Sequence, residues 1–230
     1  MAARDAVPLP ALSTVSSRPS LRAEAIRSLQ AAIVAGELRP GIVYSAPTLA
    51  GQLGMSATPV REAMLDMVKE GLVEAVPNKG FRVVELSENE LDELTELRLL
   101  VEVPSVGRVA ARGLSPKEHA SLRKVALEID RAARKGDLIT HNRADLEFHT
   151  QLLGLLGNAA LVALVSSLRT RSRLYGQAAL AASGDLAPSS HEHLELLDLV
   201  DAGDRRGAER LMRRHIGHVR GSWASGRVEG

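Results

Sequence analysis

The stretch LAGQLGMSATPVREAMLDMVKEGLVEAVPNKGFRVVEL, residues 49–86, decides the front of the fold. Its opening, with Pro47-Thr48 before it, reads as a short helix closed by Gly54, a residue that tolerates the left-handed backbone of a helix C-cap. A second helix begins at Thr58-Pro59. Thr58 is its N-cap and Pro59 takes the first helical position, where a missing N–H costs nothing. That helix ends at Gly71, with Val60, Met64, Leu65 and Val68 on its core side. The remainder alternates apolar and polar residues around Pro-Asn-Lys-Gly, which predicts two short strands joined by a turn.

Upstream, Ser20 caps a helix running to about Gly36, in which Leu21, Ala25, Ile26, Leu29, Ile33 and Val34 keep helical spacing. "ELRPGIVYSA" follows as a turn and a short extended piece. Residues 1–19, rich in Pro, Ser and Ala without a period, read as a flexible arm. Helix, short helix, turn, helix and two-stranded β-wing is the order of a winged helix-turn-helix, here spanning 20–86. Such a module is a DNA reader by geometry: its third helix has the diameter to enter a major groove, and that helix's N–H groups can approach phosphate.

"LGMSATPVREAM" and "EGLVEAVPNKGFRV" resemble the GntR family of bacterial transcription regulators, over roughly 21–86. The resemblance implies that Arg61 contacts DNA from the first turn of the recognition helix. It puts Ser56 and Thr58 near phosphates or base edges, and Lys79 and Gly80 at the wing tip over the minor groove. Family members often carry arginines where this chain has Ala57 and Pro47. Fewer guanidiniums for bidentate contact to guanine imply an operator that need not match those of relatives.

From residue 88 the pattern becomes purely helical. Segments at roughly 88–112, 115–135, 138–156, 159–181, 189–202 and 204–222 are punctuated by Gly113, Gly136, Gly157 and Gly203. They predict an all-helical antiparallel bundle over 88–223 with a flexible tail at 224–230, so the fold class is mainly α. In "ADLEFHTQLLG" (144–154), Asp145 falls near the centre of the Phe148/Leu152/Leu156 stripe, and His149 stands one turn further on. His193 shares a face with Leu196, Leu197 and Val200, while His191 points away. His215 lies among Leu211, Met212 and Val219, with His218 nearer the edge. A buried carboxylate must be hydrogen-bonded, ion-paired or metal-bound. No balancing Lys stands at the same depth, and one cation held by Asp145, His149, His193 and His215 answers all four positions. Two alternatives stand beside it: His141 replaces one ligand or supports the set from behind, or Asp145 pairs with Arg171 or Arg173 and no metal is needed.

"ADLEFHTQLLGLLGNAAL" and "EHLELLDLVDAGDRRGAERLMRRH" resemble the FCD domain, the helical effector-binding module of the FadR subfamily of GntR regulators. The resemblance covers about 88–223. It implies a metal bound by one Asp and three His, with positions left for water or a carboxylate effector. Zinc is the first choice, and nickel or manganese suits the same donors. Arg98, in "ELRLLVE", and Arg171 are candidates to face an anionic effector.

Composition narrows the classes further. The chain has 230 residues, a net charge of +1 and no cysteine. Residues 1–87 hold nine Lys/Arg against eight Asp/Glu, and the remainder twenty of each, so DNA binding must rest on local placement of charge. Disulfides and thiolate metal sites are excluded, which fits a reducing cytoplasm. No apolar run of about 18 residues and no signal peptide stands out, so a soluble cytoplasmic protein is expected. The function expected is a homodimeric repressor acting on double-stranded operator DNA and controlled by a small organic acid. A metal-responsive regulator and a metal-dependent hydrolase with an accessory DNA module are the alternatives. The hydrolase lacks a recognisable general base, and no catalytic residue is assigned.

Overall fold

The structure, a computed structural model, describes residues 20–34, 36–183 and 186–225, with side chains throughout except at 173–183 and 219–225. The arm expected at 1–19 and residues 226–230 of the expected tail lie outside the described residues. The front elements are α1 (Leu21–Val34), β1 (Val43–Tyr44), α2 (Ala46–Leu53), α3 (Ala57–Lys69), β2 (Val73–Val76) and β3 (Gly80–Val83). The rear elements are α4 (Glu88–Arg112), α5 (Pro116–Lys135), α6 (Leu138–Gly154), α7 (Ala159–Ser183), α8 (Leu186–Asp201) and α9 (Arg205–Ser225). Six rear helices are thus present among the described residues, and α9 runs two residues into the stretch expected as tail.

Local chemistry sets most boundaries. Ser45 accepts from the Thr48 N–H to open α2, which Gly54 closes with φ 65°. Ser87 with Glu90, and Ser115 with Glu118, form reciprocal capping boxes at α4 and α5. The opening of α3 departs from expectation. Ser56, not Thr58, is the N-cap, so Pro59 is the third helical residue; it is tolerated because that N–H has no intrahelical partner anyway. The core side also differs: Val60, Ala63, Met64 and Met67 are buried, whereas Leu65 is 46% exposed. The short extended piece before α2 joins the wing as a third strand, and the sheet order is β1-β3-β2.

Two cores result. The front one gathers Leu29, Leu49, Val60, Met64, Met67 and Phe81. The rear one gathers Val106, Ile129, Phe148, Leu152, Leu197 and Met212. Each such side chain, fully buried, contributes about 1.5–3 kcal/mol. Between them Leu86, Leu91, Leu94 and Leu168 form a small cluster that ties the end of the wing to α4 and α7. The change from sheet to bundle therefore occurs without a linker.

Candidate functional site

The outer end of the front module is built around α3. Among described helices with an assigned N-cap, Ser45, Ser87, Ser115 and Asp137 all accept a backbone N–H from their helix, whereas Ser56 makes no such bond. The first turn of α3 carries no acidic residue either. Its N–H groups and the positive end of its dipole thus face outward, an arrangement suited to a phosphate. Ser56, Thr58 and Arg61 are exposed at this end, and Arg61 has no ion-pair partner among the described residues. Leu65 is exposed one turn beyond Arg61, an apolar surface of the kind that meets a thymine methyl. Lys79 is exposed in the β2–β3 turn. Gly80 begins β3 with φ 135°, where a Cβ would collide with the carbonyl oxygen of Tyr44, so its demand is structural.

The rear module brings Asp145 and His149 from α6, His193 from α8 and His215 from α9 to one point. Each offers a ligand atom, all are buried, and the four atoms lie within 4.8 Å of one another. Asp145 Oδ1 is 2.8 Å from His193 Nε2 and 3.7 Å from His149 Nε2. The two Nε2 atoms of His149 and His193 are 3.1 Å apart. Phe148 stands edge-on to the His149 and His193 rings and closes one side.

Proton positions follow from the partners. His193 Nδ1 lies 2.9 Å from the Ser190 carbonyl, which only accepts, so Nδ1 donates and Nε2 is the nitrogen left to face Asp145. His215 Nδ1 donates in the same way to Glu192 Oε2 at 3.0 Å. Burial, and then the charge of Arg169, push His149 well below the ordinary histidine range, so its ring is neutral near pH 7. Asp145 Oδ1 and His193 Nε2 thus stand at hydrogen-bond distance. Only a proton on His193 or a cation between them makes that contact attractive. Two imidazoles with fixed tautomers, a third (His149) whose buried Nδ1 has no hydrogen-bond partner, and one carboxylate form a donor set that fits a divalent transition ion. His141 is not in the set: it donates from Nε2 at 2.8 Å to Ser190 Oγ, whose own proton goes to the Leu186 carbonyl.

A balancing arginine does stand at this depth, as the ion-pair alternative expected, but it is Arg169 rather than Arg171. Arg169 Nη1 donates to Asp145 Oδ2 at 3.1 Å, and its Nε donates to Glu102 Oε2 at 2.8 Å. Glu102 Oε1 in turn accepts from Arg98 Nε at 2.7 Å. Burial raises the pKa of the Glu102 carboxyl, but Arg169 and Arg98 outweigh it and hold the group below the usual carboxylate range. Arg98 is 1% exposed and its Nη2 has no hydrogen-bond partner. Arg171 lies instead with its stem against Gly71, just beyond α3. The Arg173 side chain lies outside the described residues. Arg169 was missed because "LRTRSR" offers three arginines at spacing two, of which 169 and 173 share a face, so spacing alone does not choose between them. Glu102 would have been found by noting that it stands four residues after Arg98 on a largely apolar turn.

Residues 21–83 match the family described as bacterial regulatory proteins, gntR family, and residues 93–218 match the FCD domain. The HTH-type transcriptional regulator McbR of Escherichia coli is 34% identical over 119 residues, covering 52% of this chain and 53% of McbR. The sequence match thus spans about half of that relative's length. The HTH-type transcriptional repressor GlaR of Escherichia coli is 28% identical over 197 residues, covering 83% of this chain and 90% of GlaR. The solved structure of E. coli McbR/YncC aligns with TM-score 0.69 at 26% identity, over 86% of this chain and 94% of that one.

Proposed function

The chain belongs to the GntR family of bacterial regulatory proteins, with an FCD domain in its C-terminal half, and from this premise we propose that it is an operator-specific repressor controlled by a small organic acid. Residues 20–86 bind DNA and 88–223 form the receptor. Its families and relatives are transcription regulators, not enzymes. A homodimer sets two α3 helices in successive major grooves about one helical turn apart. Ser56 and Thr58 approach phosphate, Arg61 and Leu65 address bases, and Lys79 follows the neighbouring groove.

The receptor half rests on one observation, the convergence of Asp145 Oδ1 with the Nε2 atoms of His193 and His149. The residues that would hold an ion are Asp145, His149, His193 and His215, whose ligand atoms lie within 4.8 Å of one another. Zinc, nickel and manganese all accept such a donor set, and the ion would supply a fixed positive charge to which a carboxylate could bind. The protein groups already carry Arg98 and Arg169 against Glu102 and Asp145, so a dication leaves surplus positive charge in a buried space. An anion would offset it, and Arg98, whose buried Nη2 has no hydrogen-bond partner, is a donor that could orient one. Differential affinity for that acid between two arrangements of the bundle then changes operator binding.

Elemental analysis of the purified chain beside His193→Ala tests this. Near-stoichiometric metal in the parent and its loss in a folded mutant are expected. Equal content in both, or none in either, refutes the centre while leaving the DNA-binding assignment standing.

A further inference from the structure

A cavity of about 760 Å³ opens between the two halves of the chain. That volume is within the range of small-molecule sites, about 300–1,000 Å³. Val34 of α1 and Glu70, the C-cap residue of α3, stand on one side, and Leu146 of α6 and Ser167 of α7 on the other. Asp145 and Arg169, the pair beside the histidine cluster, also line it. One space therefore touches both the last turn of the recognition helix and the groups that hold the receptor's carboxylate ligand.

The charge of its wall is biased. Arg27, Lys69, Arg143 and Arg169 oppose Glu70, Glu147 and Asp145, and among the described residues Arg27 has no ion-pair partner. Mechanical connection is also present. Thr170 lines the cavity, and the next residue, Arg171, lies so close to Gly71 that a Cβ there would meet its Cδ at 3.3 Å. Gly71 has φ 73° and sits two residues beyond α3, so a shift of α7 acts on the end of α3 through direct contact.

We propose that this inter-domain cavity is a second effector site, separate from the metal centre, taking a small organic anion whose apolar body lies between Val34 and Leu146 and whose acid group faces Arg27. The inference rests on the reading of the chain as an effector-controlled regulator. Occupancy changes operator affinity by prising α7 from α1, without a relay through the whole bundle.

Because the chain has no cysteine, Ser167→Cys places a single thiol on the cavity wall. Methanethiosulfonate reagents then deliver an anionic sulfonatoethyl or a cationic aminoethyl group of similar length, and Lys124→Cys on exposed α5 is the control. The readouts are affinity for an operator selected from random duplexes, metal content and thermal midpoint. The sulfonatoethyl adduct at 167 should change operator affinity by about tenfold at unaltered metal content, with less than about twofold change for the aminoethyl adduct and for either label at 124. An unchanged affinity at 167 with the operator still bound overturns the cavity and spares the regulator. Equal effects of both adducts overturn the anionic ligand. A chain that selects no operator overturns the reading underneath.

Discussion

Replacing Arg169 by Met separates the charge balance of the interior from the metal. The guanidinium bridges Asp145 and Glu102, all three side chains being fully buried. Removing one partner of such a group costs about 3–5 kcal/mol, because the carboxylates left behind are uncompensated. Glu102 keeps Arg98, whereas Asp145 loses the guanidinium at its Oδ2. A bound dication neutralises Asp145, so the metal-loaded mutant is spared the part of the cost that falls there, about 1.5–3 kcal/mol for one charged hydrogen bond. By linkage the mutant binds metal more tightly, by roughly ten- to a hundredfold at 1.4 kcal/mol per decade. Urea unfolding with zinc and with chelator, beside competition against a chromophoric chelator, measures both quantities. Equal destabilisation in the two states refutes the argument. So does a folded mutant that has lost its metal, which would make Arg169 the group that aims Asp145 rather than the one that balances it.

Other consequences follow from single positions. Arg61→Ala should weaken operator binding by about 1–3 kcal/mol in fluorescence anisotropy if the guanidinium reads a base, and should leave the thermal midpoint unchanged. Gly80→Ala should destabilise the front module by about 1–3 kcal/mol in thermal unfolding, since φ is 135° and the added Cβ meets Tyr44. Glu118 is held at about 2 by its hydrogen bonds to Arg112 and to the Ser115 backbone and hydroxyl. An unfolded glutamate titrates near about 4.3, so this stabilisation is complete above that pH and is lost as pH falls toward 2. In melts between about pH 5 and 2.5, Glu118→Gln should flatten the acid side of the stability curve.

The parts of this fold that were legible in the sequence are those that local chemistry dictates. Ser87 and Ser115 with acids three residues on, and glycines after Arg112 and Lys135, mark helix ends through their own hydrogen bonds and backbone freedom. The inward set Asp145, His149, His193 and His215 was legible because polar residues break otherwise apolar stripes. The start of α3 was not, because Ser56 and Thr58 are both competent caps and the proline is compatible with either register. Leu65 misled because periodicity alone does not set where a buried stripe ends, and Met67 occupies the place assigned to it. Glu102 and Arg169 read as surface charges until α4 and α7 are assembled, since they satisfy each other across the bundle and neither announces burial alone.

Ser56 also sets the terms for any attempt to harden this protein. An aspartate there would close the recognition helix on itself and add about 1 kcal/mol to the free form. The same carboxylate would stand where a nucleic-acid backbone must come. A screen for heat resistance alone would thus select variants that survive longer and no longer hold their target.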